Sequence, residues 1–499
     1  MQFTRYSVAL LTVGAFASTA CETDLTGLNT NPNSPTTAPA TALFTRAVVT
    51  GVPRFAGNTL SSTSLLAQHI AQVQYVDEDR GHIRPATYDA FFAAYPSELE
   101  DLEKVVALGV AANSPNTTGP ARVMQTWGFQ NLTDVFGDIP YSEALKGDVV
   151  GGPTKPKYDT QQSIYTGMLA TLTTASATMT TGSTDAGLGA ADPIFAGDMA
   201  KWRKFSNSLR ARMAMRISKA DPAKATAELS AAFAAPGGVM TSNADNAMLE
   251  YPGDGLFDNP WSSNFAARDD HRVSKTLLDT MNVLNDPRVS IYAQPTEDDP
   301  TVYVGLQNGL DNITVTPFFN TTSRPGDVFY PGATVYGDFG TAAGKTTPSY
   351  IQTYAEVAFI QAEAANRGIG GLNAAAAAGY YNAGVRASIL QWGGTDAQAS
   401  AYLAQPGVAY IAGATGLRQI GLQKWIALYT QGTEAWSEWR RTGNPATIVM
   451  GPKAYPDTPT VPRRFLYPIG EASVNLASLT AAIAAQGPDA YATRVWWDK

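Results

Sequence analysis

The sequence has little of several residue types on which common functions depend. Cys21 is the only cysteine, so no disulfide forms within the chain and the fold must be stabilised by a buried core. The three histidines, His69, His82 and His271, stand far apart, and none has the spacing to another histidine or to the cysteine that is typical of a metal site. The sequence therefore indicates no metal site and no cofactor, and it leaves calcium open only among the aspartate and asparagine turns, for example at Asp254 or Asp258.

Charge is also sparse, because charged residues make up 16% of the chain. There are 43 acidic and 35 basic residues, and the lysines and arginines form no cluster. Because proteins bind phosphate backbones through clustered lysine and arginine, nucleic acid is not expected as a partner. After residue 20 no stretch approaches the about 20 consecutive apolar residues that a transmembrane helix needs.

The N-terminus carries the parts of a secretory signal. Arg5 precedes an apolar run at residues 8–16, and small residues lead up to Cys21. A small residue directly before cysteine is typical of bacterial lipoproteins, in which the cysteine is acylated and becomes the first residue. The alternative is ordinary cleavage after Ala20, which leaves a free thiol. We predict a signal peptide at residues 1–20, a lipid-anchored tether at 21–40 and a single domain at 41–499.

Hydrophobic periodicity predicts a mainly α-helical protein. Apolar residues recur at helical spacing over residues 65–76, 87–110, 121–136 and 350–367. Gly137 is suited to ending the third of these helices, and Asp159 and Asp198 are candidates for the N-caps of later ones. Short connections between the helices favour a scaffold of helix pairs.

Residues 241–349 differ from the rest of the chain. They are rich in proline, glycine, asparagine and aspartate, and helical periodicity is mostly lost. Residues 302–304 and 313–315 have the composition of short β-strands, and aromatic residues are spread through the turns. Because irregular segments of this length inside a compact protein are usually functional, we expect a loop-rich, ligand-facing lobe.

No sequence motif of a nucleophilic hydrolase, a phosphate-binding loop or a dinucleotide-binding fold is present. Glu434 and Glu438 lie one helical turn apart and could in principle be the carboxylate pair of a glycosidase. Arg440 and Arg441 lie beside them and would keep both carboxylates ionised, so a structural ion-pair network is the preferred interpretation. The basic residues of the 198–217 region are expected to form a solvated face and buried ion pairs, with anion binding as the alternative: Arg203, Lys204, Arg210, Arg212 and Arg216.

Five blocks, in order along the chain, resemble the SusD/RagB family of outer-membrane lipoproteins, most closely its SusD-like branch. They are LTDVFGDIPYSEA at 132–144, WRKFSNSLRAR at 202–212, YAEVAFIQAEA at 354–364, EAWSEWRRTG at 434–443 and RRFLYP at 463–468. Together with the lipoprotein leader, the resemblance covers nearly the whole mature chain.

The resemblance implies a fold of tetratricopeptide-like helix pairs with an irregular lobe. It implies a non-catalytic protein, palmitate-modified at Cys21, on the outer face of the outer membrane. There it would capture oligosaccharides, or peptides, and close as a lid over a SusC-like TonB-dependent transporter. Two alternatives stay open: a lipid-anchored glycoside hydrolase and a scaffold lipoprotein without a small-molecule ligand.

Candidate ligand-binding residues follow from their place in loops. Trp261, Tyr330 and Tyr336 could stack on sugar rings, and Arg80, in a polar turn between early helices, could donate hydrogen bonds. For each aromatic residue the alternative is packing of the lobe against the helices. If Trp261 binds ligand, Trp261→Ala should weaken binding with little change in melting temperature, whereas a large loss of stability would make it a core residue.

Overall fold

The computed structural model describes residues 38–266, 268–326, 329 and 342–499. Cys21, the predicted signal peptide and most of the predicted tether therefore lie outside the described residues. Residues Ala40–Lys499 form one compact unit. It is mainly helical with a few short strands, which confirms the predicted fold class.

The first half of the unit contains eight helices within the described residues. They are α1 (Ala40–Val52), α2 (Thr63–Leu66), α3 (Pro85–Phe92), α4 (Glu100–Ala111), α5 (Pro115–Phe136), α6 (Gln161–Thr178), α7 (Met199–Arg216) and α8 (Pro222–Ala234). Single π turns at Pro53–Gly57 and Tyr95–Leu99 connect some of them, and a 3₁₀ turn lies at Gly189–Ala191.

The second half begins with short helices and continues with long ones. They are α9 (Pro260–Phe265), α10 (Lys275–Val283), α11 (Val289–Tyr292), α12 (Asn312–Val315), α13 (Ala342–Lys345), α14 (Tyr354–Arg367), α15 (Ala377–Gln391), α16 (Asp396–Leu403), α17 (Ala414–Ala427), α18 (Gly432–Thr442), α19 (Glu471–Val474) and α20 (Leu476–Gln486). The 3₁₀ turns here are Asn243–Asp245, Thr316–Phe318, Ala374–Ala376 and Trp496–Asp498.

Six short strands form three separate antiparallel pairs. β1 (Ile70–Gln72) pairs with β5 (His271–Val273), β2 (Ile139–Pro140) with β3 (Tyr158–Asp159), and β4 (Ala247–Leu249) with β6 (Ser349–Gln352). The first and third pairs join the lobe to the helical scaffold, since each brings together segments far apart in sequence.

Helices adjacent in sequence pack on one another. This holds for α4 to α8 in the first half and for α14 to α16 in the second, and α14 also contacts α17. α7 contacts α14 and so connects the two groups of helices. Between β4 and β6 the described residues contain no helix longer than the nine residues of α10, which fits the predicted loop-rich lobe.

Several local signals are confirmed. Asp198 caps α7, because its carboxylate accepts hydrogen bonds from the backbone N–H groups of Ala200 and Lys201. α5 ends where Gly137 adopts a φ of 87°. The cap of α6 differs by one residue: Thr160 accepts from the Ser163 N–H, while Asp159 turns back to accept from the Ser142 N–H.

Five predicted elements differ from the structure, each for a physical reason. Residues 65–76 form α2 and then β1, because apolar side chains at this spacing also suit a fully buried strand. The predicted helix at 87–110 is broken into α3 and α4 by Pro96 and by the non-helical backbone of Ser97.

The predicted helix at 350–367 is shorter than expected, because Tyr350 pairs in β6 and the helix begins at Tyr354 after the Thr353 cap. Residues 302–304 are not a strand, and 313–315 belong to α12. β-Branched composition alone does not make a strand where no partner strand is available.

Candidate functional site

Trp261 lies near the start of α9 and is buried, with 2% of its surface exposed. Its indole ring packs against Phe329 at 4.9 Å, Tyr429 at 5.6 Å and Phe265 at 6.3 Å between ring centres. These contacts favour the alternative, in which the lobe packs against the helices. A ligand role for Trp261 stays a prediction. Tyr330 and Tyr336 lie outside the described residues.

Arg80, the fourth candidate, lies on an irregular loop at residues 74–84 that follows β1. Its Nε donates a hydrogen bond of 2.7 Å to the backbone oxygen of Lys453, and its guanidinium lies 4.0 Å from the ring centre of Tyr455. The Arg80 side chain is 20% exposed. Arg80 therefore belongs to a structured surface feature in which it faces an aromatic ring.

Tyr455 forms the centre of a three-layer stack. The ring of His82 lies parallel to it, at 3.7 Å between centres and 11° between planes. Because His82 and Arg80 cannot both lie so close to one face, they cover opposite faces of Tyr455. The Tyr455 hydroxyl donates to Asp77 Oδ1 at 2.6 Å, and His82 Nε2 lies 2.8 Å from Asp457 Oδ1.

Tyr75 lies on the same loop and is 57% exposed. The guanidinium of Arg268 lies 4.6 Å from its ring centre, so one face is supported by protein. Its backbone φ is 55°, in the left-handed region, where a residue with a side chain is strained by about 1–2 kcal/mol. Such strain clusters at binding sites, where surrounding contacts hold a side chain in place.

The loop is held from beneath by buried polar contacts. Asp79 is 5% exposed and accepts hydrogen bonds from Asn308 Nδ2 at 2.6 Å and from the backbone N–H groups of Gly309 and Gln72. Burial raises the pKa of Asp79 to about 7, although these hydrogen bonds act in the opposite direction. Val76 is fully buried, so the loop has an inner face of its own.

We call the group made of Tyr75, Arg80 and His82 from this loop, together with Tyr455, the platform. A cleft of about 790 Å³ adjoins the same loop, between the π turn after α1, α3 and the segment before α9. Glu78 and Arg84, from the loop, line this cleft and pair with each other. Its volume lies within the range of small-molecule sites, about 300–1,000 Å³.

Comparison with known proteins identifies the family. The SusD-like family model, described as starch-binding and associating with the outer membrane, matches residues 32–468. The chain belongs to the SusD-like family. A search of curated proteins gives no match.

Solved structures similar to this SusD-like chain cover almost all of it. A chitin-binding protein has 28% identity and a TM-score of 0.77 over 92% of this chain and 100% of its own. A SusD homologue from Bacteroides uniformis has 26% identity and a TM-score of 0.78 over 93% of this chain and 100% of its own. A chitin-binding SusD homologue from Flavobacterium johnsoniae has 25% identity and a TM-score of 0.77 over 92% of this chain and 98% of its own.

Glu434 and Glu438 of this SusD-like chain lie in a buried ion network rather than in an open cleft. Glu438 contacts Arg441 at 2.5 Å and Lys424 at 3.0 Å, and Glu434 contacts Arg216 at 2.5 Å. The network consists of two groups of ion pairs: one contains Asp134, Arg212, Arg216, Glu356 and Glu434, and the other contains Glu363, Lys424, Glu438 and Arg441.

The ion pairs of Arg441 keep Glu438 and Glu363 charged. Burial disfavours the charged form of Glu438, but the positive charges of Arg441 and Lys424 outweigh it and hold the pKa well below its usual range. The pKa of Glu363 is lowered in the same way by Arg441. A general acid for glycoside hydrolysis needs a raised pKa, so Glu438 is unsuited to that role.

The basic residues of α7 that were expected to form ion pairs mostly do so. Arg212 contacts Glu356 at 2.5 Å, Arg210 contacts Glu228 at 2.6 Å and Lys204 contacts Asp245 at 2.9 Å. These pairs join α7 to other helices and to the segment before β4. Ion pairs as well as apolar packing therefore hold α7 against its neighbours.

His69 is a core histidine, because its side chain is fully buried. Its Nε2 lies 2.9 Å from the backbone oxygen of Trp425, and burial lowers its pKa to about 3. Within residues 38–266, 268–326, 329 and 342–499, no three histidine, cysteine or acidic side chains are grouped as metal ligands. Over the same residues, no helix combines the length and the apolar character needed to cross a membrane.

Arg80 was a candidate from the sequence, and its ligand role stays a prediction; Tyr75, His82 and Tyr455, which lie on the same loop or contact it, were not candidates. Tyr75 could have been noticed as an aromatic residue beside the polar turn that contains Arg80. Nothing in the linear sequence connects Tyr455 to this turn, because more than 370 residues separate them and only the fold brings them together.

Proposed function

We propose that this chain is a cell-surface nutrient-binding protein that captures oligosaccharides at the platform. The observation that carries the proposal is the half-exposed ring of Tyr75, backed by Arg268 and held next to a polar turn. The C–H face of a sugar stacks on such a ring, whose large contact area offsets the desolvation of the hydroxyl groups.

Polar groups around the platform suit sugar hydroxyls. Asp77 and Asp457 are 61% and 68% exposed and accept hydrogen bonds, and Arg80 and His82 supply N–H groups at the edges of the stack. The family description as starch-binding, and the chitin-binding proteins among the similar structures, support a glycan over a peptide as the ligand.

The cellular role follows from the leader and the family. We propose that residues 1–20 are removed, that Cys21 is acylated and that residues 21–40 tether the 41–499 domain to the outer membrane. The domain would then deliver its ligand to a SusC-like TonB-dependent transporter and act as its lid. The association with the outer membrane in the family description supports this arrangement. Substitution of Cys21 by alanine should abolish incorporation of labelled palmitate and release the protein from membranes.

Capture by binding, rather than hydrolysis, is favoured by the state of the candidate carboxylates. Glu438 is held ionised by Arg441 and Lys424, and Glu434 is paired with Arg216. If the chain nevertheless hydrolyses a glycan and this pair is responsible, the products should disappear in both Glu434→Gln and Glu438→Gln. Hydrolysis that survives both changes would exclude this pair as its source.

The decisive test is binding of chitohexaose and maltohexaose to the chain truncated after Cys21, by isothermal titration calorimetry. Tyr75→Ala should weaken binding at least about tenfold, equivalent to about 1.4 kcal/mol, because the stacking face is lost. Val150→Ala, on a separate loop and fully exposed, is the matched control and should bind normally. Unchanged affinity in Tyr75→Ala would show that the binding site lies elsewhere. If neither glycan binds to the wild type, a scaffold role is favoured.

A further inference from the structure

The charged side chains around the platform indicate which class of glycan it accepts. Four lysine and arginine side chains lie on the described segments 74–84 and 450–458 and at position 268: Arg80, Arg84, Arg268 and Lys453. Each is paired with a carboxylate of the same chain. The partners are Asp77, Glu78, Asp270 and Asp311, and the longest of these pairs, Arg80–Asp77 and Lys453–Asp311, measure 3.8 Å.

A uronate or a sulfate on a glycan would have to displace these carboxylates. Proteins that bind anionic groups offer them arginine or lysine side chains whose hydrogen-bond donors are available for bidentate contact. Here Arg80 already donates to the Lys453 backbone and covers the ring of Tyr455, so its reorientation would dismantle the stack. An anionic ligand therefore finds no prepared partner at the platform.

The most exposed charges on the platform are negative. Asp77 binds the Tyr455 hydroxyl, and Asp457 contacts His82, so both carboxylates are fixed beside the stack. An anionic group that approaches the stack meets these charges at short range, where repulsion between like charges is only partly screened by salt. The formal net charge of −8 adds repulsion at longer range.

Uncharged sugars do not meet this barrier. A hydroxyl group can donate a hydrogen bond to Asp77 or Asp457, whereas the oxygens of an ionised carboxylate or sulfate only accept. From this pairing of charges we infer that the platform is selective for neutral glycans and rejects those that carry carboxylate or sulfate groups. The inference rests on the proposed function, since it assumes that the platform binds a glycan.

The test compares each neutral glycan with its own charged form. Chitohexaose and maltohexaose are titrated beside the same oligosaccharides with their primary alcohols oxidised to carboxylates, at about 20 mM and about 200 mM NaCl. We expect the oxidised forms to bind at least about tenfold more weakly at low salt, and the difference to shrink at high salt. Affinity for the neutral forms should barely respond to salt.

The double variant Asp77→Asn/Asp457→Asn removes both negative charges and keeps the size of the side chains, so it separates charge repulsion from steric effects. It should reduce the difference in affinity between the neutral and the oxidised glycans, because both repelling carboxylates are gone. Equal or tighter binding of an oxidised glycan by the wild type, lost in Tyr75→Ala, would overturn the inference while leaving glycan capture intact. The inference would also be overturned if the difference in affinity between neutral and oxidised glycans changed neither with salt nor in the double variant. If neither form binds, the proposed function itself fails, and the inference fails with it.

Discussion

The buried ion network and the surface beside the platform both contain carboxylate–arginine pairs, but these pairs differ in their exposure to water. In the network, Arg441 and Glu438 are each 3% exposed, and the charges connect α18 to α14 and α17. On the platform, Asp77 is 61% exposed and its hydrogen bond holds one aromatic ring in place. Burial makes the first set essential to stability, whereas exposure leaves the second set available to a ligand.

The comparison predicts that removing one charge from the network causes the largest effect. Arg441→Met leaves Glu363 and Glu438 buried without their main partner, so it should lower the free energy of unfolding by about 5 kcal/mol, at the upper end for a broken buried pair. Urea unfolding measures the loss. The matched control is Arg386→Met, which removes a surface pair with Asp396 and should cost less than about 1 kcal/mol. Similar losses in the two variants would contradict the comparison.

Trp261 tests where the boundary between core and platform lies. Because its indole is buried among three aromatic rings, Trp261→Ala should lower the free energy of unfolding by about 4 kcal/mol. Tyr75→Ala, at an exposed position, should change it by no more than about 0.5 kcal/mol. Thermal and urea unfolding of both variants measure the two losses of stability. A small loss in Trp261→Ala would restore this residue as a ligand candidate.

A third prediction concerns pH. Burial, together with the charges of Arg272 and Arg268, lowers the pKa of His271 from 6.5 to about 3. The folded state therefore keeps this histidine neutral while the unfolded chain takes up a proton. Its stabilising contribution is complete above pH 6.5 and is lost as the pH falls towards 3.

His271→Gln should remove this dependence, so its stability should fall less steeply between pH 6 and pH 4, by up to about 1.4 kcal/mol per pH unit. Urea unfolding at several pH values gives both slopes. Asp79, beneath the platform, acts with the opposite sign: its pKa is raised to about 7, so its contribution favours the folded state at low pH and is lost as the pH rises through 7. Parallel slopes for His271→Gln and the wild type would contradict the assignment of His271.

A small effect on stability is also expected beside the platform. Asp77→Ala removes the acceptor of the Tyr455 hydroxyl and the partner of Arg80, yet should cost less than about 1 kcal/mol because the carboxylate is largely exposed. Glycan affinity should nevertheless fall about three- to tenfold, since the stack loses its fixed position. Isothermal titration calorimetry measures the glycan affinity, and urea unfolding measures the free energy of unfolding. A loss of stability as large as that of Arg441→Met would place Asp77 with the network.

Helices whose ends carry local signals could be predicted from sequence. The Asp198 cap and the apolar stripe of α7, and the glycine after α5, act within a few residues of chain. Prediction failed where a distant segment intervenes: residues 70–72 look helical by spacing but pair with residues 271–273. Hydrogen bonding across about 200 residues has no local signal.

The site shows the same division. Arg80 was noticed because it lies in a polar turn, but the ring it faces, Tyr455, comes from the far end of the chain. Trp261 looked like a loop aromatic by its proline and asparagine neighbours, yet these neighbours form the start of α9 and carry the indole into the core. Exposure of an aromatic side chain depends on what packs around it, and sequence composition does not report that.

By itself the sequence determined the helical periodicity, the change of character at 241–349 and the carboxylate–arginine pattern of 434–441 that predicts ion pairing. These follow from the order of side chains within one or two helical turns. Only the tertiary structure decided that Trp261 is buried, that Tyr75 is exposed and that His82, Tyr455 and Arg80 stack. The reason is physical: burial and stacking depend on segments that meet only after the chain has folded.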